Sequence, residues 1–310
     1  MLYFRGLRMA DHTLTVIVPH RNRPDYLRQA VLSIRAQSIV PSEILVVDDY
    51  SLPAHREKLN DLADLATILL LERNVGLSEA RNIGAKAAKG EWVAFLDDDD
   101  LFFPDKSDRQ FRYLREHPDC DALGGGLIMA SSDGRREYWG GHETRQLTVR
   151  DALLYTASMA QALMIRRDVF LQLGGFEARL RALEDYEFGI RAIASGCRMH
   201  FLAEPMFIYR RGGREQMSME FGRMVRAEMA VLQRHSGLCK QQFGRFGSLR
   251  LHGRCYKKRG LGRGGLVGHS VWAMGCILEG LFGRQPEECD ASSRQNNAGR
   301  ERPLPDDVLG

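Results

Sequence analysis

The chain opens with a short apolar, β-branched run at 14–19 (LTVIVP), stopped by proline. Residues 24–37 follow, with Leu27, Ala30, Val31 and Ile34 at helical spacing, so a strand is expected to lead into a helix. The same alternation recurs. Apolar runs at 43–49 (EILVVDD), 67–71 and 91–96 (EWVAFL) read as strands, and the alanine-rich 76–89 reads as a helix with Ser78 as its N-cap. Strands that are apolar along nearly their whole length, separated by helices, predict an α/β fold with a mostly parallel central sheet covered on both faces.

Downstream the pattern loosens. Strands are expected at 122–130, 162–165, 198–202 and 206–209, with a turn at Asp133-Gly134. Helices are expected at 184–195, offering Phe188, Ile190 and Ile193 for burial, and at 215–235, with the chain broken at 173–176 (LGGF). This divides the chain into an N-terminal extension (1–12), a catalytic-type α/β domain (13–236), a basic and partly apolar helical C-terminal extension (237–285), and a polar tail expected to be disordered (286–310).

Composition is that of an ordinary globular protein, 44% hydrophobic and 27% charged over 310 residues. The net charge of +4 conceals an asymmetry: between 240 and 284 nine lysines and arginines stand against the single acid Glu279. Six cysteines without metal-binding or paired spacing, no signal-peptide pattern and no long apolar run point to a reducing, cytoplasmic setting. The segment 254–284, basic and then apolar with Trp272, has the composition of a helix lying on an anionic membrane surface, which would place the protein at the inner face of a membrane. A helical subdomain packed on the core is the alternative. No nucleic-acid-reading motif accompanies the arginines, so no nucleic-acid partner is expected.

In an open α/β sheet, ligands bind beyond the carboxyl ends of the strands. The polar residues there are His20-Arg21-Asn22, Asp48-Asp49, Arg73-Asn74 and the run Asp97-Asp98-Asp99-Asp100, with Arg81-Asn82 in the following helix. Alone, four aspartates could be a solvated loop. At the end of a buried strand their mutual repulsion calls for a cation, and hard carboxylate oxygens suit Mn²⁺ or Mg²⁺. Arg73 and Arg81 could supply positive charge to a diphosphate. Glu184-Asp185 could simply be acids favoured at a helix N-terminus.

The blocks VIVPHRNRPDYLRQAVLSIRAQ, ILVVDDYS, NVGLSEARNIGAKAAKGEWVAFLDDDD and LGGFEARLRALEDYEFGIRA, in this order, resemble family 2 glycosyltransferases of the GT-A fold over residues 14–212. The resemblance implies an inverting, non-processive transferase that moves one sugar from a nucleotide-sugar donor, commonly a UDP-sugar, to a glycan or lipid-linked acceptor of the kind used in cell-envelope polysaccharide. It implies that Pro19 and the residues after it, His20, Arg21 and Asn22, edge the base pocket. Asp48 would bond the base beside Asp49, and Arg81 would lie near the nucleotide. Asp97 and Asp99 match the DxD motif, with Asp98 beside the donor and Asp100 as a supporting metal ligand. Asp185, next to Glu184, matches the general base.

Departures accompany the matches. His20-Arg21-Asn22 stands where the family commonly has Thr-Tyr-Asn, and Tyr50 where it has glycine in Asp-Asp-Gly-Ser. The loop 210–214 lacks the family's late histidine, and an arginine clamp on the diphosphate is the expected substitute. Two other classes are weighed. A sugar-nucleotide-forming nucleotidyltransferase would need a glycine-rich phosphate loop after the first strand, and residues 20–26 contain no glycine. A non-catalytic protein of the same fold would not need Asp97, Asp99 and Asp185 intact.

Overall fold

A computed structural model describes residues 13–141, 143–154, 160–180, 182–211 and 221–245, with 247 and 251. In its N-terminal half β1 (Leu14–His20), α1 (Pro24–Arg35), β2 (Glu43–Asp48), α2 (Pro53–Glu57), β3 (Thr67–Leu70), α3 (Leu77–Ala87) and β4 (Trp92–Phe95) succeed one another. The four strands are mutually parallel, with β1 between β2 and β4 and β3 outside β2.

The rest of the sheet is mixed. It contains β5 (Leu101–Phe102), β6 (Ala122–Ser131), β7 (Arg136–Trp139), β8 (Arg145–Gln146), β9 (Met164–Arg166) and β10 (Met199–Arg211). The order along the main path is β3-β2-β1-β4-β9-β6-β10-β5, with β9 antiparallel to both neighbours and β10 parallel to β6. The helices here are α4 (Lys106–Glu116), α5 (Val149–Leu154), α6 (Arg167–Gln172), α7 (Glu184–Ala194) and α8 (Phe221–Arg234).

Alternation along β1 divides the core into two layers. Leu14, Val16 and Val18 face the cluster containing Leu27 and Ile34 of α1 and Phe111 and Leu114 of α4. Ile17 faces the other way, toward Ala80 and Ala85 of α3, Phe170 of α6 and Phe188 of α7. Helix α3 approaches closely because of Gly84: a Cβ there would meet Ile17 and Val47 side-chain carbons at 2.5 and 3.1 Å. Burial at about 25 cal/mol per Å² of apolar surface holds these layers together.

Several expectations need correction. The strands foreseen at 198–202 and 206–209 are one strand, β10, whose register against β6 shifts on either side of Pro205. Proline has no N–H for the ladder, so a bulge there absorbs it without ending the strand. Ser78 does not cap α3: the cap position is Gly76 at φ 86°, and Ser78 is buried two residues further on, inside the first turn. Helix α4 has no apolar periodicity to announce it, because its buried face includes Lys106, Ser107, Arg109 and Gln110, satisfied by bonds such as Ser107 N–H to Gln37 Oε1 at 3.0 Å.

Residues 236–245 are helical, and Cys239 and Leu251 join a third cluster with Tyr186 and Ile190 of α7 and Val225 and Met229 of α8. The first part of the expected extension therefore packs on the catalytic-type domain. The segment 254–284, the tail 286–310 and residues 1–12 lie outside the described residues. Among the described residues no helix is long and apolar enough to cross a membrane.

Candidate active site

Regular pairing brings the first polar residues together. His20, the last residue of β1, lies opposite Asp48, the last of β2, and the aspartate run follows β4 on the other side of β1. Asp48 and Asp49 are both buried but act differently. Asp49 accepts from Asn74 Nδ2 and the Val75 and Gly76 amides at 2.6, 2.6 and 2.9 Å, which pins the loop entering α3. Asp48 Oδ2 accepts from Arg56 Nε at 2.6 Å, whereas its Oδ1 is buried and has no partner among the described residues. An unmade bond to a buried carboxylate oxygen is costly, so an N–H from a ligand fits there.

Pro19 is buried in β1 and Arg21 is exposed. Asn22 adopts φ 60° and braces the facing turn: its amide donates to Ser51 Oγ at 2.9 Å and its Oδ1 accepts from the Leu52 amide at 2.8 Å. His20 Nδ1 bonds Asp98 Oδ2 at 2.8 Å, tying the end of β1 to the aspartate run.

The remaining aspartates face a common space. One carboxylate oxygen from each of Asp97, Asp99 and Asp100 lies within 4.8 Å of the others. Asp100 is buried with Oδ2 unpartnered among the described residues. Burial, together with Asp97 and Asp98, raises the Asp99 carboxyl to about 6, and burial with Asp99 and Asp97 holds Asp100 well above the usual range. Crowded oxygens that resist ionisation are a donor set suited to a hard divalent cation.

Two arginines counter the charge. Arg23 Nη1 lies 2.5 Å from Asp99 Oδ2, and burial is outweighed by these acids so that the guanidinium is held above its ordinary range. Arg210 donates its amide to Asp100 Oδ1 at 3.0 Å and its Nε to the Asp99 carbonyl. Its position follows from pairing: Ile208 of β10 lies opposite Leu101 of β5, so the antiparallel continuation meets Asp99 and Asp100.

The second acidic pair is brought to the same place. Arg81, 1% exposed, donates Nη1 to Glu184 Oε1 at 2.6 Å and Nη2 to Asp97 Oδ1. A second link runs through neighbouring residues: the Ala160 amide donates to Asp185 Oδ2 at 3.3 Å, and Gln161 Nε2 to Asp97 Oδ2 at 2.6 Å. Asn82 completes the positioning. Its Oδ1 accepts from the Phe176 amide and its Nδ2 donates to the Phe176 carbonyl, both at 2.8 Å, which docks the LGGF turn on α3 ahead of α7.

Asp185 sits in the first turn of α7, half-buried, after Leu183 in a left-handed cap at φ 60°. Burial and the adjacent Glu184 raise its carboxyl to about 7, against the opposing pull of Arg81. A carboxylate poised near neutrality is suited to accepting a proton.

Hydrogen bonds and ion pairs thus link His20 and Asp98, Asn22 and the turn after Asp49, Asp49 and Asn74, and Asp97, Arg81 and Glu184. Arg73 is exposed on the loop after β3. Three residues outside the expected set, Arg23, Arg56 and Gln161, also bond these acids. Arg23 could have been suspected from its place in the HRNRP run, whereas Arg56 and Gln161 carry no local signal.

The family model for glycosyl transferase family 2 matches residues 15–212, more than half the chain. The chain belongs to this family. It is 30% identical over 201 residues to the putative teichuronic acid biosynthesis glycosyltransferase TuaG of Bacillus subtilis, covering 64% of this chain and 78% of that one. It is 28% identical to an uncharacterized glycosyltransferase of Haemophilus influenzae, covering 58% of this chain and 62% of that relative's length. Among solved structures, S. aureus TarS 1-349 with UDP-GlcNAc superposes with a TM-score of 0.62 at 20% identity, covering 90% and 83% of the two chains. The mannosyltransferase PcManGT of Pyrobaculum calidifontis, with GDP-Man and Mn²⁺, superposes at 0.54 and 17% identity, covering 91% and 84%. This family 2 glycosyltransferase accordingly has the mixed α/β sheet of the GT-A fold.

Proposed function

We propose that this chain transfers one sugar, with inversion, from a UDP-sugar to a hydroxyl of a glycan or lipid-linked acceptor in cell-envelope polysaccharide synthesis. The observation that carries the reading is the Arg81 bridge, which brings Glu184-Asp185 and the aspartate run to one crevice. Asp48 Oδ1 offers a buried acceptor for the imide N–H of uracil. The UDP-GlcNAc complex of TarS and the teichuronic acid role in the name of TuaG support donor and pathway class.

Asp97, Asp99 and Asp100 would hold a divalent cation, Mn²⁺ or Mg²⁺, which when bound neutralises charge on the diphosphate. Asp185 takes the proton of the acceptor hydroxyl. The freed oxygen attacks the anomeric carbon as the bond to the diphosphate oxygen breaks, and the electron pair leaves with the diphosphate. One displacement inverts that carbon. Arg81 keeps Asp97 and Glu184 in place while charge moves between the two sides.

The test is thermal stabilisation by a panel of sugar nucleotides with and without Mn²⁺. UDP-sugars are expected to stabilise the chain only with the metal, and Asp99→Ala to lose that response. A response that is metal-independent, or that survives in Asp99→Ala, would remove the metal assignment.

A further inference from the structure

The turn after β2 carries a residue that the fold does not require. Tyr50 adopts φ 63°, a left-handed conformation in which the Cβ of a non-glycine residue crowds the following carbonyl. Burial does not compensate, because Tyr50 is 52% exposed. Strained backbone that is retained without a packing reason concentrates at ligand sites.

The surroundings of Tyr50 point to what it meets. The Arg56 guanidinium lies over its ring, 5.5 Å from the centroid. The same guanidinium donates to Asp48 Oδ2 at 2.6 Å and to the Leu71 carbonyl at 2.5 Å. One arginine therefore fixes both the aromatic ring and the buried carboxylate whose other oxygen, Oδ1, has no partner among the described residues. The turn cannot easily relax: the Ser51 amide bonds Asp48 Oδ2 at 3.3 Å, and Asn22 holds Ser51 and Leu52 from across the crevice. An exposed ring and a buried acceptor without a partner among the described residues thus share one arginine. A planar ligand with an N–H on its edge matches that pair, since stacking uses a π-face and the carboxylate uses the edge.

We infer that Tyr50 is a base-stacking residue of this transferase: the uracil of the donor packs on its ring while the imide N–H bonds Asp48 Oδ1. The inference rests on the reading of the crevice as a nucleoside-diphosphate site. It assigns to a side chain in contact with Arg56 a part of donor binding that Asp97, Asp99 and Asp100 cannot supply, because those three address the diphosphate and not the base.

Calorimetric titration of UDP and of inorganic pyrophosphate, each with Mn²⁺, into the full chain and its Tyr50→Gly and Tyr50→Phe variants tests this. Tyr50→Gly is expected to weaken UDP binding about 10-fold, within the range of a single aromatic–base stack. Tyr50→Phe should stay within about twofold of the parent, because the ring face is kept. Pyrophosphate binding should be equal in all three chains. The melting temperature of Tyr50→Gly should not fall, because glycine relieves the left-handed strain. Unchanged UDP affinity in Tyr50→Gly, or an equal loss for UDP and pyrophosphate, overturns the stacking assignment alone. A parent chain that binds pyrophosphate but no nucleoside diphosphate overturns the underlying site reading and this one with it.

Discussion

On the side of the crevice formed by β1, β2 and β4, each polar residue stands at or just beyond the end of a strand, and parallel pairing alone puts His20 opposite Asp48 and the aspartate run next to both. On the other side, Asp185 begins a helix after a left-handed residue and reaches the same space through a few long-range polar links: Arg81 to Glu184, Ala160 to Asp185, and Asn82 to Phe176. The first arrangement is set by the backbone. The second depends on individual side chains, so substitutions on the two sides should differ in kind, with donor-side changes altering binding and acceptor-side changes altering turnover.

The largest separation is expected from Asp185→Asn, which should keep nucleoside-diphosphate affinity while transfer falls by roughly 10²-fold to 10⁴-fold. Steady-state rates beside calorimetry check this, and near-normal turnover would return Asp185 to the role of a helix-end acid. Arg81→Met tests the bridge itself. It leaves Asp97 and Glu184 facing each other without a buried counter-charge, and the expected cost is about 3–5 kcal/mol of stability, read from denaturant unfolding. A cost below about 1 kcal/mol would mean that the two sides are joined by other means.

A smaller and graded effect is expected from pH. Asp185 is raised to about 7, mainly by burial and then by Glu184, so the fraction ionised and able to take a proton falls as the pH drops below that value. The pH profile of kcat/KM, which reports the free enzyme, should rise by up to about tenfold per pH unit to about 7 and then level off. A flat profile through that range would place the proton elsewhere.

An effect on stability and not on transfer is expected away from the aspartates. Lys106 is fully buried, with Nζ 2.8 Å from Gln110 Oε1 and 4.3 Å from the Phe102 ring centroid, and burial lowers its ammonium to about 7. The unfolded chain then binds more protons than the folded one above about 7, so stability should increase with pH from there toward the ordinary lysine value. Lys106→Met should flatten that part of the stability profile. An unchanged profile would show that Lys106 stays charged in the fold.

The strands β1, β2 and β4 were legible because both faces of the sheet are covered, which leaves their sequences apolar at every inward position. Their polar ends were legible for the same reason, since Asp48 and the run at 97–100 interrupt otherwise apolar stretches. Helix α4 was not, because Lys106 and Gln110 are buried through specific hydrogen bonds that no periodicity announces. Strand β10 read as two because Pro205 hides a bulge. Arg56 and Gln161 escaped because their partners, Asp48 and Asp97, come from other elements, and such meetings are properties of the folded chain.

The most direct measurement of the central claim is manganese anomalous diffraction from crystals of the chain grown with Mn²⁺ and UDP. The account predicts a single strong peak coordinated by Asp97, Asp99 and Asp100, with uracil against Asp48 and the Asp185 carboxylate facing the open side of the diphosphate. A manganese peak away from those three aspartates, or a nucleotide whose diphosphate points away from Asp185, would contradict it.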